Sequence, residues 1–208
     1  MSFIKKLIKY VYWNVIRCNP LTRCIYETRG TQTPITFRYL FFQKILGINR
    51  SAYWQVHFTS IVTYPKNITV GIETSPGMMP GCYIQGMGEI VIGDYTQIAA
   101  NVGIISSNHD LYDTSKHVEG KVNIGRYCWI GMNSVVLPGI TLGDFTIVGA
   151  GSIVTKSFPE GHCVIAGNPA KIIKVLEREK CEGYTSRYEY NGYIPKEKFE
   201  KFKSKLKS

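Results

Sequence analysis

The sequence predicts a mainly β protein, a parallel β-helix wound from hexapeptide repeats with helical extensions at both ends. Three observations predict it. Ile124, Ile130, Val136, Leu142, Val148 and Val154 fall six residues apart without a miss. Glycine follows four of them, at Gly125, Gly131, Gly143 and Gly149. Four residues after each aliphatic stands a mostly small side chain, Cys128, Ser134, Thr146 and Ser152, with Ile140 the exception. A period of six is a multiple of two and suits strands, not a 3.6-residue helix. An ordinary β-sandwich would space its turns irregularly, with no fixed phase. A phase kept this long describes a chain wound around a narrow apolar axis.

Along the chain, residues 3–17 read as an amphipathic helix with Ile4, Leu7, Ile8, Val11, Tyr12 and Val15 on one stripe and lysines on other faces. Two readings of that helix stay open: a peripheral contact with an anionic membrane surface through residues 3–17, or packing on the body or on a neighbouring subunit. The segment Phe37 to Ile48 is apolar enough to pack beside it. Residues 1–50 are therefore taken as an N-terminal helical extension, and residues 51–168 as the β-helix.

Earlier copies of the repeat keep step at Ile92, Ile98 and Ile104, with a weaker run at Val56, Val62 and Ile68. Between Ile104 and Ile124 the phase slips, so extra chain leaves the coil as a loop over about residues 106–121. Asn168-Pro169 is a turn signal. Residues 169–208 form a C-terminal helix and tail, with Ala170 to Lys180 expected as a helix across the coil end. Tyr184, Tyr188, Tyr190 and Tyr193 line the tail as coil or subunit contacts. Pro195 opens a last helix in which Phe199, Phe202 and Leu206 share a face.

The 208 residues suit one domain with appended ends. No apolar run approaches a membrane span, and no secretory leader is expected. The six cysteines show no C-x-x-C pair and no metal spacing with histidine, which fits reduced thiols in a cytoplasmic protein. The net charge of +10 sits mostly at the ends: +4 in the first seventeen residues and +4 in the last fourteen. Nucleic-acid binders place positive charge on a fold face with aromatics interleaved, so a nucleic-acid partner is not expected.

The stretch from Asn108 to Val175 resembles the hexapeptide-repeat acyltransferases, in the branch with maltose, galactoside and xenobiotic acetyltransferases and exopolysaccharide O-acetyltransferases. The segments that carry the resemblance are Ser107-Asn108-His109-Asp110, Tyr127-Cys128-Trp129-Ile130-Gly131, Val136-Leu137-Pro138-Gly139, Gly149-Ala150-Gly151-Ser152-Ile153-Val154-Thr155-Lys156 and Ala166-Gly167-Asn168-Pro169-Ala170-Lys171. Together they span about a third of the chain. The resemblance implies a left-handed β-helix, a homotrimer, and acyl-CoA sites in clefts between subunits. The first fifty residues carry none of it.

Moving an acetyl group from a thioester to a hydroxyl requires a base for the proton and donors for the oxyanion. His109 lies in the extruded loop and in the family's catalytic context, so it is the expected base, with His117 as rival. His57 and His162 are expected at the surface. Asp110 is adjacent to His109 and points to the opposite face of extended chain. It therefore binds the acceptor or fixes the loop, and a backbone carbonyl, Asp113 or Glu119 is left to orient the histidine. No cysteine stands beside His109, so direct transfer is expected, with the turn at Gly131-Met132 as the oxyanion donor.

For acetyl-CoA as cosubstrate, the resemblance carries over Trp129, Met132, Ala150, Thr155, Lys156, Lys171 and Lys174. Ala150 and Thr155 would contact the pantetheine arm, and the three lysines the nucleotide phosphates. Met132 stands where some relatives have serine, and lysine replaces the arginine common at the last two basic positions, which keeps the charge but not the planar fork. The family's acceptor-site asparagine falls near Gln85. With four histidines, and just one in the right kind of loop context, a carbonic-anhydrase type of metal site lacks its ligands, and no metal is expected. The sequence thus predicts an acetyl-CoA-dependent O-acetyltransferase acting on a sugar hydroxyl of a surface glycan, cytoplasmic or peripheral at the inner face of the membrane. The alternative is an N-acyltransferase of a nucleotide-linked amino sugar or an antibiotic-like acceptor.

Overall fold

The computed structural model describes residues 3–19 and 22–206, without the side chains of Phe3, Ile4, Lys6, Leu7, Lys9 and Lys205. Its body is a coil of three parallel sheets. Face A stacks Ile61–Thr63, Tyr83–Gln85, Gly103–Ile105, Val135–Val136 and Ile153–Val154. Face B stacks Ile68–Val70, Ile90–Ile92, Val122–Ile124 and Thr141–Leu142. Face C stacks Gln97–Ile98, Trp129–Ile130, Thr146–Val148 and Cys163–Gly167.

The six repeat aliphatics visit these faces in strict rotation. Ile124 lies in B, Ile130 in C, Val136 in A, Leu142 in B, Val148 in C and Val154 in A. Three hexapeptides therefore make one turn, and like positions stack: Ile130 pairs with Val148, Val136 with Val154, and Ile124 with Leu142. All six are buried, as are the small residues Cys128, Ser134, Thr146 and Ser152. The corner glycines answer a steric need. A Cβ on Gly131 would stand 2.6 Å from the Val148 carbonyl oxygen of the next turn.

Where face B passes into face C, Tyr95, Tyr127, Phe145 and His162 occupy equivalent corners at positive φ. Their rings stack at centroid separations of 5.3, 5.0 and 5.1 Å. His162 is thus half-buried at the end of this column and not a surface residue. His57 is likewise half-buried, its ring against Phe58 at 4.3 Å and its Nδ1 2.8 Å from the Thr59 hydroxyl.

The helix expected over Ala170 to Lys180 does not form. Ala170–Val175 is a strand, antiparallel to Cys163–Gly167, followed by a short 3-10 turn at Arg178–Lys180. Cys163–Gly167 would otherwise leave the last edge of face C open. A strand edge left with unpaired N–H and C=O groups is filled by the nearest extended chain, here one rich in β-branched side chains.

Helix α1 (Phe3–Cys18) packs on α2 (Arg23–Glu27), and α3 (Phe37–Leu40) continues into a π-helical turn, Phe41–Ile45. Trp13, Ile16, Ile25, Ile35, Leu40 and Tyr190 share one cluster. The contact face of α1 is therefore Trp13 and Ile16, not the expected stripe. Of that stripe, Ile8, Val11, Tyr12 and Val15 are exposed, while Ile4 and Leu7 lie outside the described side chains. The C-terminal helix α4 (Lys196–Leu206) buries Phe199, with Phe202 and Leu206 packed on the core, as its spacing predicts. Tyr184 contacts Tyr95 and Tyr127, so this tail tyrosine is a coil contact. No helix among the described residues is long and apolar enough to cross a membrane.

Burial of the repeat row sets a stability expectation. Ile130→Ala empties a fully buried site between two turns and is expected to cost about 2–5 kcal/mol. Ile172→Ala, on the exposed side of the added strand, is expected to cost less than about 0.5 kcal/mol. Urea unfolding at one protein concentration measures both.

Candidate active site

Face A hands the chain to face B at an edge where the coil cannot hold it. Twenty residues separate Ile104 from Ile124, where six would suffice. The surplus forms an antiparallel hairpin, Ser107–His109 paired with His117–Glu119. Its root is fixed by Gln85, the last residue of a face A strand. The Gln85 side-chain oxygen accepts from the Ser106 N–H at 3.2 Å, and its Nε2 donates to the Ser107 carbonyl at 3.4 Å. The Ser106 hydroxyl donates to the Gln85 and Gly88 carbonyls at 2.7 and 3.0 Å. Gln85 thus ties the loop to the coil.

The tip is closed by short carboxylates. Asp110 Oδ1 accepts from the Tyr112 and Asp113 N–H groups at 2.8 and 2.9 Å. Asp113 accepts from the Ser115 hydroxyl and pairs with Lys116 at 2.9 Å, and Ser115 and Lys116 hold its carboxyl below the usual range. Asp110 therefore fastens the loop through Oδ1, and Asp113 is engaged elsewhere than at the histidine.

His109 is held by the chain reversal itself. Its Nδ1 stands 2.7 Å from the Thr114 carbonyl oxygen. A carbonyl only accepts, so Nδ1 carries the hydrogen, and in the neutral ring Nε2 keeps its lone pair. Of the orienting groups the sequence left open, the backbone carbonyl is the one used. His117 sits opposite His109 in the hairpin, with ring centroids 4.5 Å apart. Residues directly opposite in an antiparallel pair share a face, so Ser107, His109, His117 and Glu119 project together. Ser107 was not singled out by sequence reasoning, yet its Oγ is buried without a hydrogen-bond partner among the described residues. The alternation Ser107-x-His109 was the available signal.

The residues carried over for the cosubstrate divide between two edges. Trp129 points outward from face C, half exposed. Met132 and Ala150 stand in the turns from face C to face A, and both are exposed. Lys171 and Lys174 lie on the added strand, paired with Ala166 and Val164 of face C. These five form one surface. Thr155 and Lys156 follow the last strand of face A, on the edge from which the His109 hairpin leaves, with the Lys156 ammonium 5.6 Å from the Phe158 ring centroid. In one chain the histidine and the Trp129 surface thus occupy opposite edges of face A.

The Gly131 N–H is committed to the Val148 carbonyl at 2.8 Å, so in the turn where the oxyanion donor is expected that amide is already engaged. The coil cysteines 82, 128 and 163 are all buried, and burial pushes the Cys128 thiol up to about 11. A buried thiol held protonated is a packing residue, not a nucleophile.

Comparison with known proteins matches this geometry. Residues 121–156 fit the family described as bacterial transferase hexapeptide, six repeats. The Escherichia coli K12 protein named "Putative colanic acid biosynthesis acetyltransferase WcaF" is 36% identical over 116 residues, covering 54% of this chain and 61% of that protein. A maltose O-acetyltransferase structure from Clostridium difficile 630 superposes with a TM-score of 0.59 at 28% identity, over 80% of this chain and 89% of that one. A galactoside acetyltransferase in complex with coenzyme A superposes with a TM-score of 0.59 at 25% identity, over 81% and 84%. The chain spans about half to three fifths of the length of the curated relatives it matches. The fold is the parallel β-helix that the repeat predicted, left-handed as the resemblance implied.

The loop fastening has a testable consequence. Asp110→Ala removes the acceptor for two amides, each such bond being worth about 1 kcal/mol. Amides 112 and 113 are expected to lose hydrogen-exchange protection, with coil amides such as those of Gly131 and Gly149 unchanged.

Proposed function

We propose that this chain is a hexapeptide-repeat transferase, an acetyl-CoA-dependent O-acetyltransferase acting on a sugar hydroxyl in surface-polysaccharide assembly. One observation carries the reading: the Thr114 carbonyl holds His109 with Nδ1 protonated, on a loop thrust away from the coil. That leaves Nε2 as a proton acceptor in the open. WcaF, by its name a colanic acid biosynthesis acetyltransferase, supports the polysaccharide assignment, and the coenzyme A complex of the galactoside enzyme supports the cosubstrate.

In the proposed reaction His109 Nε2 takes the acceptor hydroxyl proton as that oxygen attacks the thioester carbonyl. The tetrahedral oxyanion is met by a backbone donor at the Met132 turn. Collapse breaks the C–S bond, and the thiolate of CoA takes the proton back from the imidazolium. The products are the acetyl ester and free CoA, and the enzyme is unchanged. Trp129 lies along the CoA chain, Ala150 and Thr155 present backbone to pantetheine, and Lys156, Lys171 and Lys174 supply cations for its phosphates. Because the histidine edge and the Trp129 surface lie on opposite sides of face A, the site is completed by a second subunit of a homotrimer. The bare loop tip, with Leu111 and Tyr112 exposed to 91% and 99%, is the part that would seat on that neighbour.

The experiment is an acceptor screen with acetyl-CoA against sugars, amino sugars, nucleotide sugars and oligosaccharides, read by free thiol release. Hydroxyl acceptors are expected to turn over, with product ester labile to mild base. Turnover confined to amines, giving base-stable amides, would instead select the N-acyltransferase alternative. On the best hydroxyl acceptor, His109→Ala is expected to lower kcat by roughly 10²–10⁴, with CoA affinity little changed.

A further inference from the structure

The fold brings the two basic ends of the sequence to one end of the coil. Tyr53, just before the first coil strand, packs against Phe199 and Phe202 of α4 at 5.8 and 5.0 Å. Helices α1 and α2 cluster with Tyr190, next to that same helix. Arg17, Arg23, Lys198 and Lys203 accordingly line one groove of about 1760 Å³. Seven Lys or Arg and five Asp or Glu residues line it, so two segments some 180 residues apart in sequence become one pole with a positive excess.

That pole is almost free of acid on its N-terminal side. Ten Lys or Arg residues precede Glu73, against one acidic residue, Glu27, which pairs with Arg23 at 2.7 Å. On the pole α1 rests on Trp13 and Ile16, and its other apolar face stays bare. Ile8, Val11, Tyr12 and Val15, at the helical spacing of one stripe, are exposed to 63, 52, 47 and 63%.

We propose that this pole docks on an anionic lipid bilayer, with the exposed stripe of α1 in the headgroup boundary and the basic residues of α1 and α4 over the lipid charges. Two features of the pole favour a bilayer over a second copy of the chain. Self-association through α1 would set Lys5 and Arg17 against their like-charged counterparts with no acid before Glu27 to relieve them. An anionic surface instead offers charge of opposite sign, each Lys or Arg within its reach strengthening binding about five-fold. The apolar stripe then fixes the orientation, because a helix of this kind lies in the interface plane. Docking does not depend on the acetyl-transfer reading.

The test is co-sedimentation of the full chain with vesicles of phosphatidylcholine alone or with one third phosphatidylglycerol. Ile8→Asp/Val15→Asp breaks the stripe and Lys198→Glu/Lys201→Glu lowers the charge on α4, all at exposed positions away from the proposed site. The expected result is binding to the phosphatidylglycerol vesicles that falls at least ten-fold in each variant, on neutral vesicles, and at 0.5 M salt. Sedimentation velocity of the variants should match the parent. Absence of binding to anionic vesicles, or binding indifferent to the stripe variant, overturns the proposal. So does a stripe variant that dissociates into smaller species, which assigns the stripe to a contact between copies.

Discussion

A six-residue phase locked to three faces is the constraint on which everything else here depends. Each turn must bring an aliphatic from every face onto the axis, and each is stacked on its counterpart one turn away. Slipping one residue would turn the inward row outward along every later turn. The coil therefore has no room for surplus residues, and whatever exceeds the phase is expelled. The hairpin that carries His109 exists because twenty residues stand where six belong. Its stability comes from its own fastenings, the Asp110 turn and the Gln85 root, and so it can vary without disturbing the core.

The same geometry divides the chemistry. A coil with three faces has three edges, and side chains on different edges of one chain do not converge. His109 leaves from the edge between faces A and B, while Trp129, Met132 and Ala150 line face C and its turn to face A. The His109 ring is oriented locally, by one carbonyl five residues away in the chain. Under the proposed function, completion of the site is left to a neighbouring subunit. On this account catalysis and assembly are one property, and the monomer carries two half-sites instead of one site.

How much was legible follows from how local each signal is. The repeat row and its glycines are written in consecutive residues, so Ile124 through Val154 could be placed on the axis from spacing alone, and the phase slip announced the loop. Asp110 could be excluded as the orienting group because adjacent side chains diverge, but Thr114 could not be chosen, since a backbone carbonyl has no residue signature. The Ala170–Val175 strand is not legible in its own residues, because its partner edge, Cys163–Gly167, is supplied by the fold and not by the segment's pattern. For α1 the helix was legible and the packed face was not. Trp13 and Ile16 are no more apolar than the stripe beside them, and only the positions of Ile25 and Ile35 decide which face is covered.

The central claim, that one site is built from two chains, is tested by subunit complementation. His109→Ala chains keep the Trp129 surface, and chains with Trp129→Ala and Lys171→Glu keep the histidine. Each is expected to be nearly inactive alone. Dissociated, mixed in equal amounts and reassembled, they should regain about a quarter of the parent activity, because in a ring of head-to-tail contacts one interface in four then pairs an intact half with an intact half. Mixtures no more active than the separate variants would contradict the account, and would place base and cosubstrate within a single chain.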